Sequence, residues 1–114
     1  MAEVVIHCLT EPGTDADEAA AELEAYLEQT EGVAPVLVEV EQPRVGLAEI
    51  LAIIQVVSGV VDLVQKLSDF IKSRQAAGKV KEIEVEIDGE RLPISKLTEE
   101  QRAKLLVAIA PETG

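Results

Sequence analysis

Ile50-Leu51-Ala52-Ile53-Ile54-Gln55-Val56-Val57-Ser58-Gly59-Val60-Val61-Asp62-Leu63-Val64 is the stretch on which the fold turns. At about 100° per residue, Ile50, Ile53, Ile54, Val57, Val60, Val61, Val64 and, further on, Ile71 share one face. Gln55, Ser58, Asp62, Gln65, Lys66, Asp69 and Ser73 gather opposite. This periodicity predicts one long apolar helix over 46–74. Val56, Leu63 and Phe70 recur every seventh residue and widen the apolar arc beyond the roughly 100° that a surface helix needs. The helix is therefore expected to be covered on two sides. Unbroken it would run about 44 Å at about 1.5 Å per residue, against about 20 Å for a six-residue strand. Either it bends at Ser58-Gly59, where a glycine costs about 1 kcal/mol, or one end overhangs the sheet.

Beyond this stretch, Gln75-Ala76-Ala77-Gly78 closes the helix and residues 81–87 alternate as a strand. Ile83, Val85 and Ile87 face in; Glu82, Glu84 and Glu86 face out. Asp88-Gly89 is a two-residue hairpin signal. It pairs Val85 with Leu92, Ile83 with Ile94 and Glu86 with Arg91, so core meets core and opposite charges meet. Pro93 assigns the return strand to an edge. Thr98 and Gln101 form a capping box for a last helix through Ala110, stopped by Pro111.

Towards the N-terminus, residues 3–9 alternate with apolar side chains on both sides, which places that strand inside the sheet. Pro12-Gly13 breaks it, and Thr14 or Asp15 caps a helix through Gln29 with acids in its first turn. Ala16, Ala19, Ala20, Leu23, Tyr26 and Leu27 form its apolar stripe. After Gly32, residues 36–41 form a second strand with Val36, Val38 and Val40 inward, and this strand-helix-strand unit predicts a right-handed parallel crossover. The expected whole is a single α+β domain over 1–114, in the order β-α-β-α-β-β-α. It has two layers: a four-stranded mixed sheet with the long helix packed on one face.

The 114 residues carry a net charge of -12 and two aromatics, Tyr26 and Phe70, which argues against nucleic-acid binding. Residues 1–43 hold eleven acids and no Lys or Arg, whereas the rest is near balance and gathers Lys66, Lys72, Arg74, Lys79 and Lys81 at the helix end. Bases there suit the negative helix pole, which is the favoured reading; the sharper alternative is that they meet an acidic patch across a partner boundary. Cys8 is the single cysteine, which fits a reducing, cytoplasmic compartment, as does an N-terminus without a signal pattern. The long helix is too interrupted by Gln55, Ser58 and Asp62 to span a bilayer.

No catalytic, cofactor-binding or metal-ligating set emerges. His7 and Cys8 point to opposite faces of a strand and form no dyad. Cys8 reads as a small core residue, and His7 as a partly covered strand residue without an orienting partner. Glu39, Glu41, Glu82, Glu84 and Glu86 read as a solvated sheet face, lacking the shaped loop of a calcium site. The candidate partner-binding residues are the flank row Val56, Leu63 and Phe70 together with Lys66, Lys72 and Arg74. A row left uncovered would mark an interaction site.

Three features resemble the effector-associated constant component family of bacterial conflict systems. They are the entry Pro43-Arg44-Val45-Gly46 into an apolar helix, the Ser58-Gly59 interruption before a basic end Lys72-Ser73-Arg74, and the hairpin Ile83 to Gly89 running into Leu92-Pro93-Ile94 and a terminal helix. The resemblance implies a small non-enzymatic adaptor, cytoplasmic, coupled to an effector protein such as a protease or to further copies of itself. It carries no catalytic residues. The alternatives are a membrane-surface module using helix 46–74, and a small enzyme built from His7 and the carboxylates of the acidic face.

Overall fold

A computed structural model describes residues 2–44, 47–57, 62–87 and 89–109. Its elements are β1 (Ala2–Thr10), α1 (Ala16–Gln29), β2 (Val33–Arg44), β3 (Leu47–Val56), α2 (Leu63–Ala76), β4 (Val80–Ile87), β5 (Glu90–Pro93), a short 3-10 turn (Ile94–Lys96) and α3 (Glu99–Ile109). The architecture is α+β, as expected. Its sheet has five strands in the order β2-β3-β1-β4-β5, and every neighbouring pair is antiparallel.

The long helix over 46–74 is not there. Its first half is β3, a central strand between β2 and β1; among the described residues of the stretch, helix begins at Leu63. Two physical reasons decide this. Ile50, Ile53, Ile54 and Val56 are β-branched and favour a pleated surface. A continuous apolar run also satisfies helical and strand templates alike, since Leu51 and Ile53 are aliphatic on the face that the strand leaves open and so hide its period of two. In the fold Ile50, Ala52, Ile54 and Val56 are buried, while Leu51, Ile53 and Gln55 turn to the other face. The genuine helical stripe is Leu63, Val64, Leu67, Phe70 and Ile71, all buried. Asp62 is the cap: its carboxylate accepts from Gln65 N at 3.0 Å. The expected kink at Ser58-Gly59 lies outside the described residues, as do Asp88 of the hairpin and the helix end at Ala110.

With β3 in place, the expected four-stranded mixed sheet becomes a five-stranded antiparallel one. β1 and β2 run parallel, as the crossover predicted, but β3 lies between them, and β1 likewise lies between β3 and β4. This is the split β-α-β arrangement of the ferredoxin-like topology, extended by β5 and α3. The helices supply one face of the core: Leu23 and Leu27 of α1, Leu67 and Phe70 of α2 and Leu105 of α3 pack over Ile6, Cys8, Ile54, Ile83 and Val85.

Local expectations elsewhere fared better. Asp15 caps α1 by accepting from Asp17 N and Glu18 N. Val85 pairs with Leu92 and Glu86 with Arg91, although Ile94 has left the ladder for the 3-10 turn. Thr98 and Gln101 exchange hydrogen bonds at 3.1 Å each. β2 is longer than expected because Pro35, at a sheet edge, needs no partner for its nitrogen. The register shifts between Pro35 and Leu37, which turns Val36 outward to 57% exposure while Val38 and Val40 keep contact with the core.

Candidate functional site

The expected flank row is core rather than surface. Val56, Leu63 and Phe70 are all buried, Val56 at the end of β3 and the other two on α2. Phe70 packs on Tyr26 with ring centroids 5.1 Å apart, beneath the Arg74 guanidinium at 5.2 Å. The Tyr26 hydroxyl donates to the Lys66 carbonyl at 2.8 Å, which ties α1 to α2. Lys66 and Lys72 are exposed on α2, whereas Arg74 lies 3.2 Å from Glu22. Lys79 reaches Glu22 at 3.2 Å and Glu18 at 3.6 Å. Its ammonium is held above the usual lysine range, chiefly by the hydrogen bond to Glu22. The acidic N-terminal half and the basic helix end therefore meet within one chain, between α1 and the end of α2.

A polar pocket of about 280 Å³ opens beside this contact, lined by Pro12, Gly13, Thr14, Asp15, Glu18 and Lys79 among others. Its polar groups are already engaged, Asp15 in capping and Lys79 with its two glutamates.

The surface that the fold leaves open is the sheet face away from the helices. Strand register builds it in rows. Leu37, Ile53, Val5, Glu86 and Arg91 lie side by side across the five strands. Glu39, Leu51, His7, Glu84 and Pro93 form the next row, then Glu41, Glu49, Leu9 and Glu82. Two halves result, each set by which residue the period of two brings outward.

Towards β4 the half is a charged network. His7 Nδ1 stands 2.7 Å from Glu49 Oε1, off the line of a hydrogen bond, and Nε2 lies 3.2 Å from Glu86 Oε1. Arg91 reaches over from β5 to bridge Glu49 and Glu84, the latter at 3.0 Å. Glu82 is held by the Ser95 amide and hydroxyl. His7 thus has the partners that its own sequence neighbourhood did not disclose; they come from β3 and β4, whose register alone brings them together. Each imidazole nitrogen faces a carboxylate, and Nε2 alone is in hydrogen-bonding geometry, with Glu86. Towards β2 the half is apolar: Val5, Leu51 and Ile53 are half-buried, Leu37 is exposed, and exposed Glu39 and Glu41 stand at the rim. Among the described residues no helix packs on this face.

Cys8 lies on the opposite, core side of β1, where burial and then the Glu49 charge push its thiol up to about 12. It is no nucleophile at neutral pH. Among the described residues no cluster of three or more His, Cys, Asp or Glu has the geometry to hold a metal. No described helix is long and apolar enough to cross a membrane.

Compared with protein-family models, with curated proteins and with solved structures, the chain matches none.

Proposed function

We propose that the chain is a non-enzymatic protein–protein interaction module, an adaptor that docks a partner on the open face of its sheet. Of the features that carry the resemblance, the β4–β5 pairing and the terminal helix stand in the fold, whereas Pro43-Arg44 is followed by strand β3 instead of a helix. On that resemblance the partner is an effector protein of a bacterial conflict system, such as a protease, and the setting is the reducing cytoplasm. One observation carries this reading: Leu37, Ile53, Val5 and Leu51 form a contiguous aliphatic patch over which no described element packs. An antiparallel sheet tolerates one solvated face, but that face then alternates to polar residues. Here three adjacent strands present aliphatic side chains instead, and a contiguous patch of this kind marks a contact surface.

The docking surface thereby moves from the flank row Val56, Leu63 and Phe70 to the sheet. Lys66 and Lys72 remain exposed and belong to the opposite side of the molecule. The membrane-surface alternative loses its element, because α2 has 14 residues and turns its apolar stripe into the core. The enzyme alternative gains a cluster in His7, Glu49, Glu84 and Glu86, yet Arg91 and the carboxylates occupy one another there.

The test is co-purification with the products of the genes adjacent to this one. Ile53→Glu should abolish capture while circular dichroism stays unchanged, and Lys66→Glu should leave capture intact. Capture that survives Ile53→Glu but not Lys66→Glu would assign the contact to the helical side.

A further inference from the structure

We infer that the element docking on the open sheet face is a basic amphipathic helix of the partner protein, an inference that rests on the adaptor reading above. Two features of the face select it, one of shape and one of charge.

The shape comes from width. Leu37, Ile53 and Val5 lie on neighbouring strands β2, β3 and β1, with Leu51 beside them on β3. Two strand spacings are about 10 Å, close to the width of one helix with its side chains. A sheet face offers no free backbone groups, so its occupant must satisfy its own hydrogen bonds, which a helix does. A second sheet laid over the same face would also cover Glu49, Glu84 and His7 and would have to desolvate that network. One helix laid along β2, β3 and β1 meets His7 and Glu49 at one end of the patch but leaves Glu84 on β4 and Arg91 on β5 uncovered.

The charge comes from what stands on either side. Glu39 flanks the patch on β2 in the row of Leu51, and Glu86 flanks it on β4 in the row of Val5, with one oxygen 3.2 Å from His7 Nε2 and 37% of its side chain still exposed. Lysine or arginine side chains on the shoulders of a docked helix lay their methylenes on the aliphatic rim and place their cationic ends at these carboxylates. A second copy of this chain is disfavoured, since it would bring the same carboxylates face to face within a molecule of net charge -12.

The experiment uses the intact chain and three synthetic peptides of about 18 residues, roughly five helical turns. One is a leucine/lysine amphipathic helix, one its leucine/glutamate counterpart, and one a scrambled leucine/lysine sequence without an apolar side. Binding is read by fluorescence anisotropy, and its location by amide chemical-shift changes. The leucine/lysine helix should bind saturably and shift Val5, Leu51 and Ile53. Raising salt from about 50 to about 300 mM should weaken it about tenfold. Leu37→Ser should weaken it, and Glu39→Lys should move the preference towards the leucine/glutamate helix; both sites are exposed, so the fold tolerates the changes. Equal binding of both helices at this face would overturn the basic partner while leaving the docking face. Equal binding of the scrambled peptide would overturn the helix. Shifts confined to the α1–α2 side would overturn the docking face itself, as would the absence of binding to any of the three. A dimer of the free chain that Leu37→Ser dissociates would make a second copy the occupant and overturn the inference.

Discussion

Cys8 lies in the middle of β1 with its side chain in the core, and its thiol titrates near 12 instead of about 9 because burial penalises the thiolate and Glu49 repels it. The folded chain therefore holds this proton more tightly than the unfolded one. Stability from this site is intact below about pH 9 and is lost as pH rises towards about 12. In urea titrations, the difference in stability between the native chain and Cys8→Ala should shrink over that range. A thiol reagent at about pH 8 should label Cys8 only upon unfolding; rapid labelling of folded protein would contradict the burial. Across the sheet, the β4–β5 register makes a paired forecast. Val85→Asp places an unpaired charge against Leu92 and should cost more than about 3 kcal/mol. Glu84→Gln removes a partly exposed partner of Arg91 and should cost under about 1 kcal/mol. Equal losses from the two would show that the face assignment is wrong.

At the scale of elements, β3 is where local reasoning and fold diverge, and Ile53 separates the two readings. A helix over 46–74 would group Ile53 with Ile50 and Ile54 on one buried side. The strand puts Ile50 and Ile54 in the core and Ile53 on the open face. Ile54→Ser should therefore cost about 3 kcal/mol or more by losing buried methyl groups and burying a hydroxyl. Ile53→Ser should cost about 1 kcal/mol, read from denaturant midpoints; parity between them would restore the helix. What was legible in the sequence is what local chemistry encodes: the Asp15 and Thr98 caps, the Val85–Leu92 register and the Pro93 edge. The strand-helix boundary was encoded too, because Asp62 stands three residues before Gln65 as a cap does, yet the apolar run on both sides concealed it. The open-face network was not legible. His7 meets Glu49 and Glu86 only once β3 and β4 flank β1, and no local spacing carries a sheet order.

For the whole molecule, charge opposes the compact state more than it supports it. The ion pairs of Glu22 with Arg74 and Lys79, of Glu18 with Lys79, and of Glu49 and Glu84 with Arg91 engage only part of the 22 acidic side chains, and most of the paired side chains are partly exposed. Pairs of that kind contribute roughly 0–1 kcal/mol each. The unbalanced remainder is spread over the sheet face and α1, and its mutual repulsion is relieved by screening over a Debye length of about 10 Å at 0.1 M salt. Salt weakens both contributions, so the sign of its effect tells which is larger. The imbalance of 22 acids against 10 bases decides for repulsion. The melting temperature should rise by a few degrees between about 20 and about 300 mM sodium chloride. Glu39→Gln with Glu41→Gln, on exposed positions of β2, should raise it at low salt and make no difference at high salt. A melting temperature that falls with salt would mean that the α1–α2 and Arg91 pairs outweigh the excess of acids. The acidic open face would then be a stabilised feature of the free chain instead of a surface whose charge awaits a basic partner.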